Sequence, residues 1–179
     1  MAACSVEMDR LRYCRLTTYV LRESRPMSVP PFDVASAHQW FAVEFNNRGW
    51  DLVEKPDRTE EELAEMIHAA HAAALHWQAV GTPLNMQRAE NLLATAYLNA
   101  GQVEPALLHA RRGLALSEQN GAEQTPFDRA TTFAAAAKAH NLAGNGSEAL
   151  PLILQALAEA DTLADADRAV FDKLYGEAL

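Results

Sequence analysis

Apolar side chains along this chain fall at the three- and four-residue spacing of helices. Between residues 60 and 80, Leu63, Met66, Ile67, Ala70, Ala74 and Trp77 make a single stripe that one face of a helix would bury. Starts and stops punctuate the pattern. Asp33 is placed to cap a first helix carrying Trp40, Phe41, Phe45, Trp50, Leu52 and Val53, with Asn47 and Gly49 weakening its middle and Pro56 ending it. Thr59 with Glu62 reads as a capping box, and Glu60, Glu61 and Glu62 complement the helix dipole. Thr82-Pro83 and Thr125-Pro126 each place a cap before a proline at the first helical position, where its missing N–H costs nothing. Helices are predicted over 33–54, 60–80, 83–100, 103–117, 126–143, 147–162 and 167–178.

The middle of the chain repeats itself at an offset of 43 residues. Thr82-Pro83-Leu84-Asn85 returns as Thr125-Pro126-Phe127-Asp128, Ala100-Gly101 as Ala143-Gly144, Ala106-Leu107 as Ala149-Leu150, and Leu114-Ala115 as Leu157-Ala158. A repeat of this size means stacked helical hairpins. Gly101 and Gly144 stand where the first helix of each hairpin must end in a left-handed residue. Ala94, Ala106 and Gly113, and in the second copy Ala137, Ala149 and Ala156, are small where two helices must approach closely. The segment after Asp165 or Asp167 reads as a lone helix with Ala169, Val170, Phe171, Leu174 and Tyr175 inward, suited to covering the open end of the array.

On these residues the chain resembles the tetratricopeptide repeat. Leu93-Ala94, Tyr97, Gly101, Ala106 and Gly113 match that family's Leu-Gly/Ala, Tyr, Gly, Ala and Ala positions, and Ala137, Gly144, Ala149 and Ala156 match in the second copy. Glu90 stands in place of the early Trp, Ala110 in place of a large aromatic and His140 in place of the Tyr, and the period exceeds the family's roughly 34 residues. The run from Trp50 to Thr59, followed by Ile67-His68-Ala69-Ala70-His71, is also similar to a group of bacterial proteins with no assigned role. The resemblance implies an all-α fold, a tetratricopeptide-like right-handed array of about seven antiparallel helices whose first helices line a concave groove. Transferred residue by residue, it implies groove positions at Arg88, Asn91, Thr95, Leu98 and Asn99 in one copy and at Thr131, Lys138 and Asn141 in the other. Arg48 joins them from the N-terminal pair. Three cations among amides would suit an extended peptide or an acidic group.

Charge divides the chain. Residues 1–32 hold five of the fifteen Lys and Arg and both cysteines, Cys4 and Cys14, whereas from Met27 onward ten basic residues face twenty-one acidic ones. The first 32 residues are thus expected to be a basic tail or docking arm, with Met27 an alternative start, and 33–179 the helical-repeat domain. The formal charge of −9 disfavours nucleic acid and anionic membranes as partners. With no apolar run near the ~20 residues of a membrane span, no signal-like N-terminus and no disulfide framework, a cytoplasmic setting is expected.

Candidate chemistry is sparse. Glu65, His68 and His71 lie three apart on one predicted helix, so a metal-binding or metal-sensing protein is the alternative reading; His76, two turns from His68, cannot join them. Histidines filling a helix interface read more simply. No Gly-rich phosphate loop, Cys-x-x-Cys or nucleophile elbow occurs, and Arg111-Arg112 fits a solvated face. The expectation is a non-catalytic adaptor or scaffold that needs no cofactor and binds a protein or peptide. Homodimerisation through Phe171 and Tyr175 is left open.

Overall fold

The computed structural model describes residues 29–176, and among them every regular element is helical. The helices are α1 (Val34–Glu54), α2 (Glu60–Val80), α3 (Pro83–Asn99), α4 (Val103–Asn120), α5 (Pro126–Leu142), α6 (Gly146–Ala160) and α7 (Asp165–Tyr175), with a 3-10 turn at Gly121–Glu123 after α4. The expected basic arm, both cysteines and the alternative start at Met27 lie outside the described residues, as does the predicted end of the last helix at Ala178. No described helix is long and apolar enough to cross a membrane.

The caps act where the sequence places them. Asp33 accepts from the Ser36 amide, and reciprocal capping boxes open α2 (Thr59 with Glu62), α3 (Thr82 with Asn85) and α5 (Thr125 with Asp128). The two repeats also close alike. The Gly101 amide donates to the Leu98 carbonyl and the Gln102 amide to that of Tyr97; Gly144 donates to Asn141 and Asn145 to His140 in the same pattern, with φ of +69° at Gly101 and +76° at Gly144. That conformation favours glycine.

Packing pairs α1 with α2, α3 with α4 and α5 with α6, and joins each pair to the next through α2–α3 and α4–α5. The pairs run antiparallel: Arg48 meets Glu65 and His38 meets His76 in the first, Glu90 meets His109 and Gln87 meets Asn120 in the second, and Arg129 near the start of α5 meets Glu159 near the end of α6. Ala94, Ala106, Ala137, Ala149 and Ala156 are all fully buried, as the close-approach reading requires. Helix α1 runs unbroken through Gly49, where a weakened middle was expected. A Cβ there would lie 2.9 Å from Leu92 Cδ2, so the glycine lets α1 press onto α3.

Helix α7 departs from expectation. Instead of stacking on α6 as an end cap, it turns back across α5 and reaches α3 through Tyr175 and α1 through Lys173. Phe171 and Tyr175, each 1 % exposed, enter the core of α3–α6, and Leu174 also packs against the core containing Leu52, Val53, Leu92 and Leu93. Leu150, Leu154 and Leu157 of α6 remain exposed as a result. The buried rings of Phe171 and Tyr175 are also not offered to a second copy.

Candidate functional site

The first helices of the three pairs, α1, α3 and α5, share one face, and α7 lies along it. Two cavities open beside α7. The larger, about 340 Å³, has Trp50, Phe127, Asn46, Asn91 and Thr131 in its lining, with Arg88, Asp128 and, from α7, Asp167. The smaller, about 120 Å³, lies at the other end of α7, among Glu54, Thr95, Asn99, Lys138, Lys173 and Tyr175. Helix α7 thus runs from the N-terminal ends of α3 and α5 toward their C-terminal ends.

Seven of the nine positions expected in the groove line these cavities, all but Arg48 and Asn141, but the charges are arranged differently from expectation. Arg88 is not a free cation: its Nε and Nη2 donate to Asp128 Oδ1 and Oδ2 at 2.7 and 3.0 Å. Burial alone would raise the Asp128 carboxyl. The Arg88 hydrogen bonds and those from the Thr125 amide and hydroxyl overcome this and hold it below the ordinary carboxylate value. Arg48 lines neither cavity; it donates to Glu65 at 2.8 Å on the α1–α2 side. Asn141 is exposed and also lines neither. Lys138, half-buried, faces the smaller cavity.

The amides and hydroxyls serve the chain's own packing. Thr95 Oγ1 lies 2.9 Å from the Tyr175 hydroxyl, and both side chains are buried. Burial pushes the Tyr175 phenol up to about 12, although the hydrogen bond with Thr95 opposes the shift. Asn91 is itself 7 % exposed, and its Oδ1 has no hydrogen-bond partner. Asn99 donates to the Thr95 carbonyl and accepts from Arg58 Nη2 at 2.7 Å. Arg58 also donates to the Leu52, Val53 and Lys55 carbonyls, satisfying the end of α1 that Pro56 leaves open.

The α2 side chains do not assemble as metal ligands. Glu65 is drawn to Arg48, His68 is exposed, and His71 Nε2 lies 2.7 Å from the Tyr97 hydroxyl. His76 Nδ1 meets His38 Nδ1 at 2.8 Å beside Phe41 and Phe45. Among the described residues no three His, Cys, Asp or Glu side chains converge as a metal ion requires. The trio is separated because Glu65 and His71 each meet a side chain of a neighbouring helix while His68 faces solvent.

A polar cluster lies where α2, α3 and α4 meet. Glu90 Oε2 lies 2.7 Å from His109 Nδ1, both buried; the Tyr97 ring stacks on His109 with centroids 5.5 Å apart, and His71 approaches edge-on. Burial and neighbouring His109 push His71 below the ordinary imidazole value, against the pull of Glu90. Neither cavity is lined by these residues. A second buried network joins Gln87 to Asn120, Gln124 and Thr132, with Ser117 bonded to Gln124, and holds α4 one turn longer than predicted. The departures at Glu90 and the histidines were visible in the sequence, but their partners were not.

Compared with protein-family models, with curated proteins and with solved structures, the chain finds no match.

Proposed function

We propose that this chain is a non-catalytic, tetratricopeptide-like adaptor that binds a protein segment on the face formed by α1, α3 and α5. The observation that carries the reading is the placement of both cavities on that one face, each lined by alternate helices of the repeat. Lining them with Trp50 and Phe127 as well as Asn and Thr side chains supplies apolar surface and hydrogen-bonding groups together, the combination a peptide needs. The pairing of Arg88 with Asp128 removes the strongly basic groove expected from sequence, so an acidic ligand is no longer favoured over a neutral or amphipathic one. The net charge of −9 supports an aqueous, cytoplasmic role away from nucleic acid.

The test is capture from a bacterial lysate with the immobilised full chain and with an Asn46→Arg/Lys138→Glu variant. Both positions are half-buried, one in each cavity, so the variant alters the face without emptying the core. Proteins retained by the wild type and lost by an equally helical variant are the expected result. Identical sets would refute the assignment of this face.

A further inference from the structure

Helix α7 is already seated on the face that the adaptor reading assigns to a partner. Three of its positions fall one helical turn apart on this side: exposed Asp167 at the mouth of the larger cavity, Phe171 in the core of α3–α6, and Tyr175 against Thr95 of α3. Leu174 widens the stripe toward Leu52 and Val53 of α1, and Lys173 reaches Glu54 at 2.6 Å. What these contacts recognise is a helix. A stripe of side chains at every fourth position meets a floor made largely of alanines, among them Ala94, Ala130 and Ala134, that leaves room for large rings.

The seat is incompletely filled. Asp167 stands at the mouth of a cavity of about 340 Å³ walled in part by Trp50 and Phe127, where a larger apolar side chain would gain contact with both rings. Helix α7 has only eleven residues, its cap residue Ala164 makes no side-chain cap, and beyond Arg168 donating to Asp161 and the burial of Phe171 near Ala156 and Ala160 it packs little on α6, its neighbour in sequence. Its attachment therefore depends mainly on the face, where Phe171, Leu174 and Tyr175 are seated.

We propose that the α1–α3–α5 face is a receptor for an amphipathic helix bearing two aromatic residues one turn apart and a large apolar residue one turn before them. Helix α7 is the resident competitor that such a partner displaces. This rests on the adaptor reading and names its ligand class. Because α7 holds the site in the folded chain, the apparent affinity for an incoming helix falls in proportion to the fraction of molecules with the site open.

The experiment uses a fluorescein-labelled peptide of residues 164–176 and the full-length chain, as wild type and as Phe171→Ala/Tyr175→Ala, which leaves every receptor residue unchanged. Fluorescence anisotropy should give an apparent Kd at least tenfold tighter for the variant. The peptide with Asp167→Leu should bind the variant more tightly than the natural peptide, and the peptide with both aromatics replaced by alanine should not bind. Circular dichroism reports whether the variant keeps α1–α6. If it does not, Tyr175→Phe, which removes only the hydroxyl that meets Thr95 Oγ1, provides the opened form and should tighten the apparent Kd severalfold. Equal binding by wild type and opened forms, no binding by either, or binding indifferent to the aromatic pair overturns the proposal. Loss of lysate capture at Asn46→Arg/Lys138→Glu alongside failed peptide binding would leave the adaptor reading standing without the helical ligand.

Discussion

The seating of α7 can be measured through one hydroxyl. Tyr175→Phe removes an oxygen that lies 2.9 Å from Thr95 Oγ1, in a place where Tyr175 is 1 % and Thr95 3 % exposed. Leaving a buried polar group without its partner costs about 1–3 kcal/mol. Thr95 has a partial remedy, since a helical threonine can turn its hydroxyl to the carbonyl four residues back, so the lower half of that range applies, about 1–2 kcal/mol. For a domain of this size that lowers Tm by roughly 2–8 °C. Thermal and urea unfolding of the wild type, Tyr175→Phe, Thr95→Val and the double variant complete a cycle, and a coupling of about 0.5–1.5 kcal/mol is expected for two groups in direct contact. Lys173→Ala, which removes only a surface ion pair, serves as the control and should change stability by less than about 1 kcal/mol. The same phenol supplies a second reading. It ionises near 10 in the unfolded chain but stays protonated to about 12 when folded. The unfolded state therefore binds fewer protons between those values, and the phenol's contribution, complete below pH 10, declines as pH rises toward 12 at up to roughly 1.4 kcal/mol per unit. Tyr175→Phe should flatten that alkaline decline. A cycle that closes additively, with an alkaline limb unchanged by the substitution, would mean that Tyr175 is not seated between α3 and α5.

Two further outcomes follow from the packing. Gly113 and Gly49 are both buried inside helices, yet alanine should have opposite effects at the two positions. A Cβ at Gly113 lies 3.7 Å from Thr132 Cγ2 and 3.8 Å from Glu90 Cβ, so Gly113→Ala should gain about 0.5–1 kcal/mol of helix stability; at Gly49 the 2.9 Å approach to fully buried Leu92 should turn Gly49→Ala into a loss of about 1 kcal/mol. Urea midpoints decide it, and the opposite order would contradict the close approach of α1 to α3. Asp128→Ala should cost about 2 kcal/mol, because it removes both the α5 cap and the partner of half-exposed Arg88, whereas Asp128→Asn should cost roughly half of that, since Asn85 caps α3 in the same way. The Asp128 carboxyl lies below its ordinary 3.8 in the folded chain, so its contribution is present above that value and lost as pH falls through the lower folded one. Unfolding followed from pH 5 to pH 2 should show a larger loss in the wild type than in Asp128→Asn; equal losses would mean that the Asp128 charge does not contribute to acid stability.

What could be read from the sequence was whatever is decided within a few residues. Thr59 with Glu62, and Thr82 and Thr125 each before a proline, fixed three helix starts, and Gly101 and Gly144 fixed two ends, because capping and left-handed turns are local physics. The alanines at the close approaches followed from the repeat. The charges of the candidate face did not, since pairing Arg88 with Asp128 depends on α3 and α5 lying side by side, 40 residues apart. Glu65 and Arg48 illustrate the same limit: each read as a candidate for a different site, and each is the other's partner.

The position of α7 lies beyond the reach of its own sequence, and the reason is specific. An end cap on α6 and a helix crossing α5 both bury the stripe of Phe171, Leu174 and Tyr175, so periodicity cannot separate them. What separates them is the polar end of Tyr175. Exposed Leu150, Leu154 and Leu157 of α6 would cover the ring but offer its hydroxyl no partner, and a buried, unbonded hydroxyl costs more than apolar contact alone would favour. On α3, Thr95 provides that partner beside the same apolar floor. A Phe at 175 would weaken this discrimination, which makes the tyrosine the residue that directs α7 to the repeat face and away from the leucines of α6.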